Sequence, residues 1–277
     1  MKRIIDLSCS GVLLFTSMFA HAEKTVKFYE TQGADAALVK ADDKYTLTLS
    51  GGAPPAGAST SADCYVKSKD LELKNGILGG ELAPIHNGIA NLSSKNLTGH
   101  HIYASLNNSI IDVREADVQG ICADDIDLTG GYKVVVNENE IKEKYIYYVD
   151  MAHQEALLFL KSGNPVGAVT TLAPYANSYR ERWLRDRSSR NTLISVLNDY
   201  AYALQLNNQN EEAITILRAV LSAAPNRAVA WLNIADSYWS QGDFEKGRAA
   251  YRKYVSLMTS AGDATKILPR ANERYVN

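Results

Sequence analysis

The strongest constraint on this chain is a self-match at an offset of 34 residues near its C-terminus. Ala201, Leu204, Asn208, Ala213, Leu217 and Val220 line up with Ala235, Tyr238, Gly242, Gly247, Tyr251 and Tyr254. Small residues fall on small ones and large apolar residues on large ones. A period of this length is one helix–turn–helix unit, which cannot bury its apolar face alone and must stack on a neighbour. Stacked helix pairs present an extended concave surface suited to holding another polypeptide.

The last unit is the clearest. Trp231, Ile234, Ala235 and Tyr238 recur at helical spacing on one face of a first helix, and Gly242 closes it. Phe244, Gly247, Tyr251 and Tyr254 mark the second helix. The unit before it carries Leu197, Tyr200, Ala201 and Leu204, then Ala213, Leu217 and Val220, with Pro225 setting its end. Ala156, Phe159, Gly163, Ala168, Leu172 and Tyr175 form a degenerate third unit. Its offset to the next is 45, that is 34 plus 11, and the extra residues fall between Tyr175 and Leu197. Thr259 to Asn277, with Ile267, Leu268 and Tyr275, can supply a capping helix.

The first half is written differently. Thr25–Tyr29, Lys44–Leu49, Cys64–Lys67, Ile110–Val113 and Tyr132–Val136 are β-branched or aromatic runs. Turn residues separate them: Gly51 to Pro55, Asn75-Gly76, Gly79-Gly80, Asn87-Gly88, Asn107-Asn108 and Gly130-Gly131. Short strands at this spacing predict a small sandwich or barrel. Asn75-Gly76 fits a two-residue hairpin turn, since both positions accept positive φ. Ala53–Ser61 is expected to be an exposed loop. The polar stretch Asn137–Lys144 is expected to mark the boundary.

Lys2 and Arg3, the apolar run Gly11–Ala20, and Ala20-His21-Ala22 make the pattern of a cleavable secretory signal at residues 1–22. The expected mature protein begins at Glu23, with a β-rich domain over 23–140 and a helical domain over 145–277. No later segment is apolar for the roughly 18 residues of a membrane span, so a soluble periplasmic protein is expected. Cys9 leaves with the signal, and Cys64 and Cys122 remain as an even pair in an oxidising compartment. A disulfide between them is the expectation; a reactive or metal-binding pair would need C-x-x-C spacing or a histidine cluster. A net charge of −2 gives no basic field for nucleic acid.

From about Val149 to Met258 the chain resembles the tetratricopeptide repeat (TPR) family. Trp231, Ala235, Tyr238, Gly242, Phe244, Tyr251 and Pro225 match its preferred residue types. Leu197 stands where Trp is commonest, Gly247 replaces the usual Ala, and the first unit lacks the late Pro. The resemblance implies a groove lined by first-helix residues next to the packing ones: Asn198, Tyr202, Gln205, Leu232, Asp236 and Trp239. Tyr202 and Trp239 equally fit a role against the β domain or the capping helix. In the β-rich half, Gly120-Ile-Cys122 followed by Leu128-Thr-Gly-Gly-Tyr132 resembles small disulfide-bonded periplasmic inhibitor domains.

The insertion holds Arg180, Arg182, Arg185, Arg187 and Arg190. The guanidinium fork suits carboxylate or phosphate, so Arg182 and Arg185 are candidates for docking an acidic partner or anionic envelope polymer. A solvated charged face is the alternative, with Glu181 and Arg185 as an ordinary helical pair. No nucleophile elbow, Walker loop or H-E-x-x-H motif is present. His100 and His101 are adjacent, so on a strand they point to opposite faces. Asp124, Asp125 and Asp127 lack the closing Glu of a calcium loop. No catalytic residue, metal or cofactor is assigned. The fold expected is α+β in two domains: a disulfide-bonded all-β unit, then an all-α TPR array of about three repeats with a cap. The function expected is a periplasmic protein that captures and neutralises a protein partner, an inhibitor or immunity protein against a cell-wall-acting toxin or enzyme. The alternatives are an envelope scaffold or assembly factor, and an enzyme with its site in the β half.

Overall fold

The computed structural model describes residues 24–51, 64–86, 91–124 and 126–276. The signal sequence expected at 1–22, the Ala53–Ser61 loop, the Asn87-Gly88 turn and Asp125 lie outside them.

Among the described residues ten strands precede the helical array. They are β1 (Thr25–Thr31), β2 (Ala34–Ala41), β3 (Lys44–Gly51), β4 (Cys64–Leu71), β5 (Ile77–Glu81), β6 (Ile85–His86), β7 (Asn91–Leu92), β8 (His101–Leu106), β9 (Ile110–Ala116) and β10 (Gly130–Val134). A one-turn helix, α1 (Ser94–Leu97), precedes β8. Eight strands form one antiparallel sheet in the order β4-β3-β2-β1-β10-β9-β8-β5, and β6 pairs with β7 alone. The outer strands β4 and β5 curl towards each other. Ala83 N donates to Lys67 O at 2.7 Å and Ser68 Oγ to Glu81 O at 2.6 Å, so the sheet nearly closes into a barrel. Closure satisfies backbone groups that an open edge would leave bare.

Alternation along each strand sorts side chains to two faces. Tyr29, Leu38, Leu47, Leu49, Val66, Ile111 and Tyr132 fill the barrel interior. The neighbours Phe28, Ala37 and Tyr65 face outward, yet they are buried too, against the helices. Strands β1 to β4 are therefore covered on both sides. That accounts for the unbroken burial of Cys64-Tyr65-Val66-Lys67-Ser68. Asn75 and Gly76 adopt φ of 52° and 77°, and Lys74 and Ile77 exchange backbone hydrogen bonds of 2.9 Å, the expected two-residue turn. Cys64 and Cys122 form a disulfide, with Cα atoms 5.4 Å apart.

The helices are α2 (Glu138–Lys161), α3 (Pro165–Ala176), α4 (Arg190–Leu206), α5 (Asn210–Ala223), α6 (Ala228–Ser240), α7 (Phe244–Ser260) and α8 (Pro269–Val276). They pack as the pairs α2–α3, α4–α5 and α6–α7, with α8 against α7. At the contact within each pair, Ala156, Ala168, Ala201, Ala213 and Ala235 are fully buried. A Cβ added at Gly247 would meet Trp239 at 3.3 Å, so glycine suits the close approach of α7 to α6. Gly163, Asn208 and Gly242 end the first helices with φ of 74°, 60° and 79°, one left-handed position repeated in all three units.

The stretch Asn137–Lys144, read as the boundary, is the start of α2. Asn137 Oδ1 accepts from the amides of Asn139 at 2.9 Å and Glu140 at 3.3 Å, capping the helix. The 11 extra residues expected before the second unit fall in a connection containing a 3-10 turn, Glu181–Arg185.

Helices α2 and α3 lie on the outer face of the barrel. Phe28 stacks on Tyr148 with ring centres 5.7 Å apart and meets Tyr145 edge-on at 6.4 Å. Polar links flank this contact: Ser50 Oγ to Tyr147 OH at 2.7 Å, Val26 N to Ser178 Oγ at 3.2 Å, and Lys144 Nζ to Asp35 at 2.5 Å.

Two stability effects follow. Phe28→Ala should lower unfolding free energy by about 3–5 kcal/mol in urea titration, the loss usual for a buried ring. The Cys64–Cys122 bridge closes a loop of 58 residues, which chain entropy values at about 4 kcal/mol. Cys64→Ser should therefore lower the melting temperature by several degrees, and an unchanged melt under oxidising conditions would contradict this.

Candidate functional site

The first helices of the three pairs, α2, α4 and α6, stand side by side, and a line of polar side chains runs across them. His153 Nε2 on α2 lies 2.8 Å from Asp199 Oδ2 on α4. Asn198 Nδ2 donates to Asp199 Oδ1 at 3.0 Å, and Asn233 Nδ2 on α6 donates to Asn198 Oδ1 at 3.4 Å. His153, Asn198 and Asn233 are buried and Asp199 is half-buried, so the bonds among them satisfy polar atoms with little access to water.

The line ends at Asp236, whose side chain is 8% exposed. Arg270 on α8 grips it through Nε at 3.0 Å and Nη2 at 2.6 Å, the fork matching both carboxylate oxygens. Arg274 and the Tyr251 hydroxyl also reach Asp236. Burial, with the bond to Asp236, pushes the Tyr251 phenol up to about 12. Arg274 lies over the Trp239 ring at 4.9 Å from its centre, and Phe244 meets that ring edge-on at 4.8 Å.

The six first-helix candidates thus divide. Asn198, Leu232 and Asp236 are buried in packing between helices, and Trp239 is half-buried beneath Arg274. Tyr202 remains 38% exposed at the end of α4, near Leu206 at 46%. One turn from Tyr202, Gln205 has a buried Oε1 that accepts no hydrogen bond from any described residue. An acceptor left in this state gains most from a donor that arrives from outside.

The arginines go elsewhere. Arg180 and Arg182 pair with Glu138 on α2, and Trp183 Nε1 donates to the same carboxylate at 3.1 Å. The Arg182 guanidinium holds the Glu138 carboxyl below its usual range, with help from Trp183. Lys142 similarly holds Asp186 down at about 2. Arg182 therefore pins the connection to α2 while staying 61% exposed. Arg185 lines an open pocket of about 610 Å³ with Glu181, Arg190, Thr215 and Arg218. Its wall is α5, a second helix of a pair, so Arg185 is not brought together with Tyr202 and Gln205.

Spacing gave no sign of the polar line itself. His153 and Asp199 are 46 residues apart, and only the stacking of α2 on α4 joins them. His100 and His101 reach different carboxylates, Asp117 at 3.1 Å and Glu115 at 2.9 Å. Among the described residues no group of three His, Cys, Asp or Glu could hold a metal ion.

Residues 203–256 match the tetratricopeptide repeat family. Solved structures with similar folds include the first TPR domain of the human RPAP3 protein, 10% identical, covering 47% of this chain and 94% of that one, with a TM-score of 0.35. The C-terminal TPR-containing domain of a Plasmodium falciparum FK506-binding protein is 17% identical over 48% of this chain and 87% of that one, with a TM-score of 0.40. MamA from Desulfovibrio magneticus RS-1 is 19% identical over 50% and 84%, with a TM-score of 0.32. No curated protein sequence matches the chain. The matched stretch runs from the end of α4 through α5 and α6 into α7, within the stack of helix pairs, and stacked pairs of this kind present an extended surface.

The α8 contact gives a stability test. Arg270→Ala removes two charge-assisted bonds from a buried carboxylate and should cost about 1.5–3 kcal/mol in urea titration. Arg270→Lys, which cannot fork, should recover only part of that loss.

Proposed function

We propose that this tetratricopeptide repeat array, with the β-barrel fixed beside it, captures one protein partner in the periplasm and neutralises it. The partner class is an exported toxin or a cell-wall-acting enzyme, and the protein serves as its inhibitor or immunity factor. The carrying observation is the pair on α4: exposed Tyr202 beside Gln205, whose buried acceptor is unmet among the described residues. The exposed ring offers a partner apolar contact, and the half-buried Gln205 side chain, turned outward, offers its unmet acceptor to a partner's donor, the mix found at interface anchors. Export is supported by the leader pattern at the N-terminus and by the disulfide, which persists in oxidising compartments. Among the described residues no helix is long and apolar enough to cross a membrane. Repeat arrays of this family act by binding rather than by catalysis, which supports neutralisation by capture.

The arginine-lined pocket against α5 favours a second reading. It is a charged surface on the other helix of the pair, so an envelope scaffold or assembly factor could use both faces at once.

Affinity capture from periplasm should return one stoichiometric partner. Tyr202→Ala should weaken that complex by about thirtyfold, the effect of a typical anchor residue, while leaving the melting temperature unchanged. Co-expression with a toxin encoded beside this gene should restore growth. Several substoichiometric partners, lost on Arg185→Ala but not on Tyr202→Ala, would replace capture with scaffolding. Growth that co-expression fails to restore would remove the neutralising role.

A further inference from the structure

A cavity of about 150 Å³ lies between the outer face of β3–β4 and the barrel-facing side of α2–α3. Its walls are mainly apolar, with Val39 and Tyr45 from the sheet, Ala152 from α2, and Pro174 and Tyr175 from α3. Its polar end is built by strand alternation. Tyr65, Lys67 and Lys69 take every second position of β4, so all three point outward beneath α2. There Lys67 Nζ lies 2.7 Å from Glu155 Oε2, and Lys69 Nζ lies 2.6 Å from Glu155 Oε1.

Two ammonium groups therefore share one carboxylate. The Lys67 side chain is 6% exposed, that of Glu155 17% and that of Lys69 34%, so the surplus positive charge is partly withdrawn from water. An unbalanced charge is costly there unless a counter-charge joins it. Burial pushes Lys67 down to about 8 even with Glu155 beside it. Burial alone would raise Glu155, but the two lysines hold its carboxyl below the usual range. The other ionisable groups at the cavity are the Tyr45, Tyr65 and Tyr175 phenols, Lys44 on β3 and Asp70 on β4. Burial raises the Tyr65 and Tyr175 phenols, so they are uncharged. Lys44 pairs with Glu72, and Asp70 is exposed, where water screens its charge.

We propose that this cavity binds the carboxylate end of a small apolar acid, with Lys67 and Lys69 as its counter-charge. The acid can be a free molecule or the last residue of a peptide. Size, lining and charge agree on this class. A cavity of about 150 Å³ admits one benzene-sized ring. Apolar walls with a few convergent polar groups are the usual make-up of a small-molecule site. The single surplus charge selects a monoanion. The site is remote from Tyr202 and Gln205 and does not depend on the partner-capture proposal.

The test uses the full chain and benzoate as the probe, with benzyl alcohol as its uncharged counterpart. Benzoate at up to about 10 mM should shift the amide resonances of Lys67, Ala152 and Tyr175 saturably. Benzyl alcohol should bind at least about tenfold more weakly. Lys67→Met keeps the bulk without the charge and should lose a similar factor. Lys69→Met gives the same readout if the first variant fails to fold. Lys67 is protonated below its value of about 8, so affinity should fall as pH rises through it. A short peptide ending in Phe, compared with its C-terminal amide, separates the two sources: tighter binding of the free-acid peptide than of benzoate assigns the site to chain ends, and binding of benzoate alone assigns it to free acids. Equal binding of benzoate and benzyl alcohol, no saturable shift with any probe, or unchanged affinity in a folded lysine variant would overturn the proposal.

Discussion

The structure depends on burying the outer face of β1–β4 under α2 and α3. A barrel of this size buries its interior by alternation, but here the alternate residues Phe28, Ala37 and Tyr65 are hidden as well. Their cover comes from Tyr145, Tyr148 and Ala152 on α2, which recur at helical spacing, and from α3. Removing this aromatic surface from water stabilises each half against the other. The same burial strips water from Lys67 and gives that lysine its unusual chemistry.

Much of the helical half was legible because its signal is periodic. The 34-residue match, the small residues at Ala201 and Ala235, and Gly242 as the close of its helix all hold in the structure, where the aligned Asn208 and Gly242 both take positive φ. The β half was legible where side chains are branched or aromatic. Strand β2 (Ala-Asp-Ala-Ala-Leu-Val-Lys-Ala) was not, because alanine has little strand preference, and here it fits a layer covered on both sides. The start of α2 was obscured for a related reason. Glu138, Lys142 and Lys144 look like solvated linker, yet they pair with Arg182, Asp186 and Asp35 across the fold.

The candidate surface was harder to read. A repeat template gives the direction of a side chain, but not whether the same chain already occupies the space it faces. Asp236 and Trp239 point where a ligand could lie, and α8 has placed Arg270 and Arg274 there. Tyr202 and Gln205 lie on α4, where no described capping helix covers them. Lys67 could not be singled out at all, since only the meeting of β4 with α2 brings Glu155 to it.

Only three residues, Val135 to Asn137, separate the last strand from a helix of 24 residues. At a rise of about 1.5 Å per residue, that rod touches both halves along its length, with Lys144, Tyr148 and Glu155 against the strands and Lys142 and His153 against the rest of the helical half. A tug on the repeats by cargo would be transmitted along this shared beam into the barrel wall, with scant slack to absorb it.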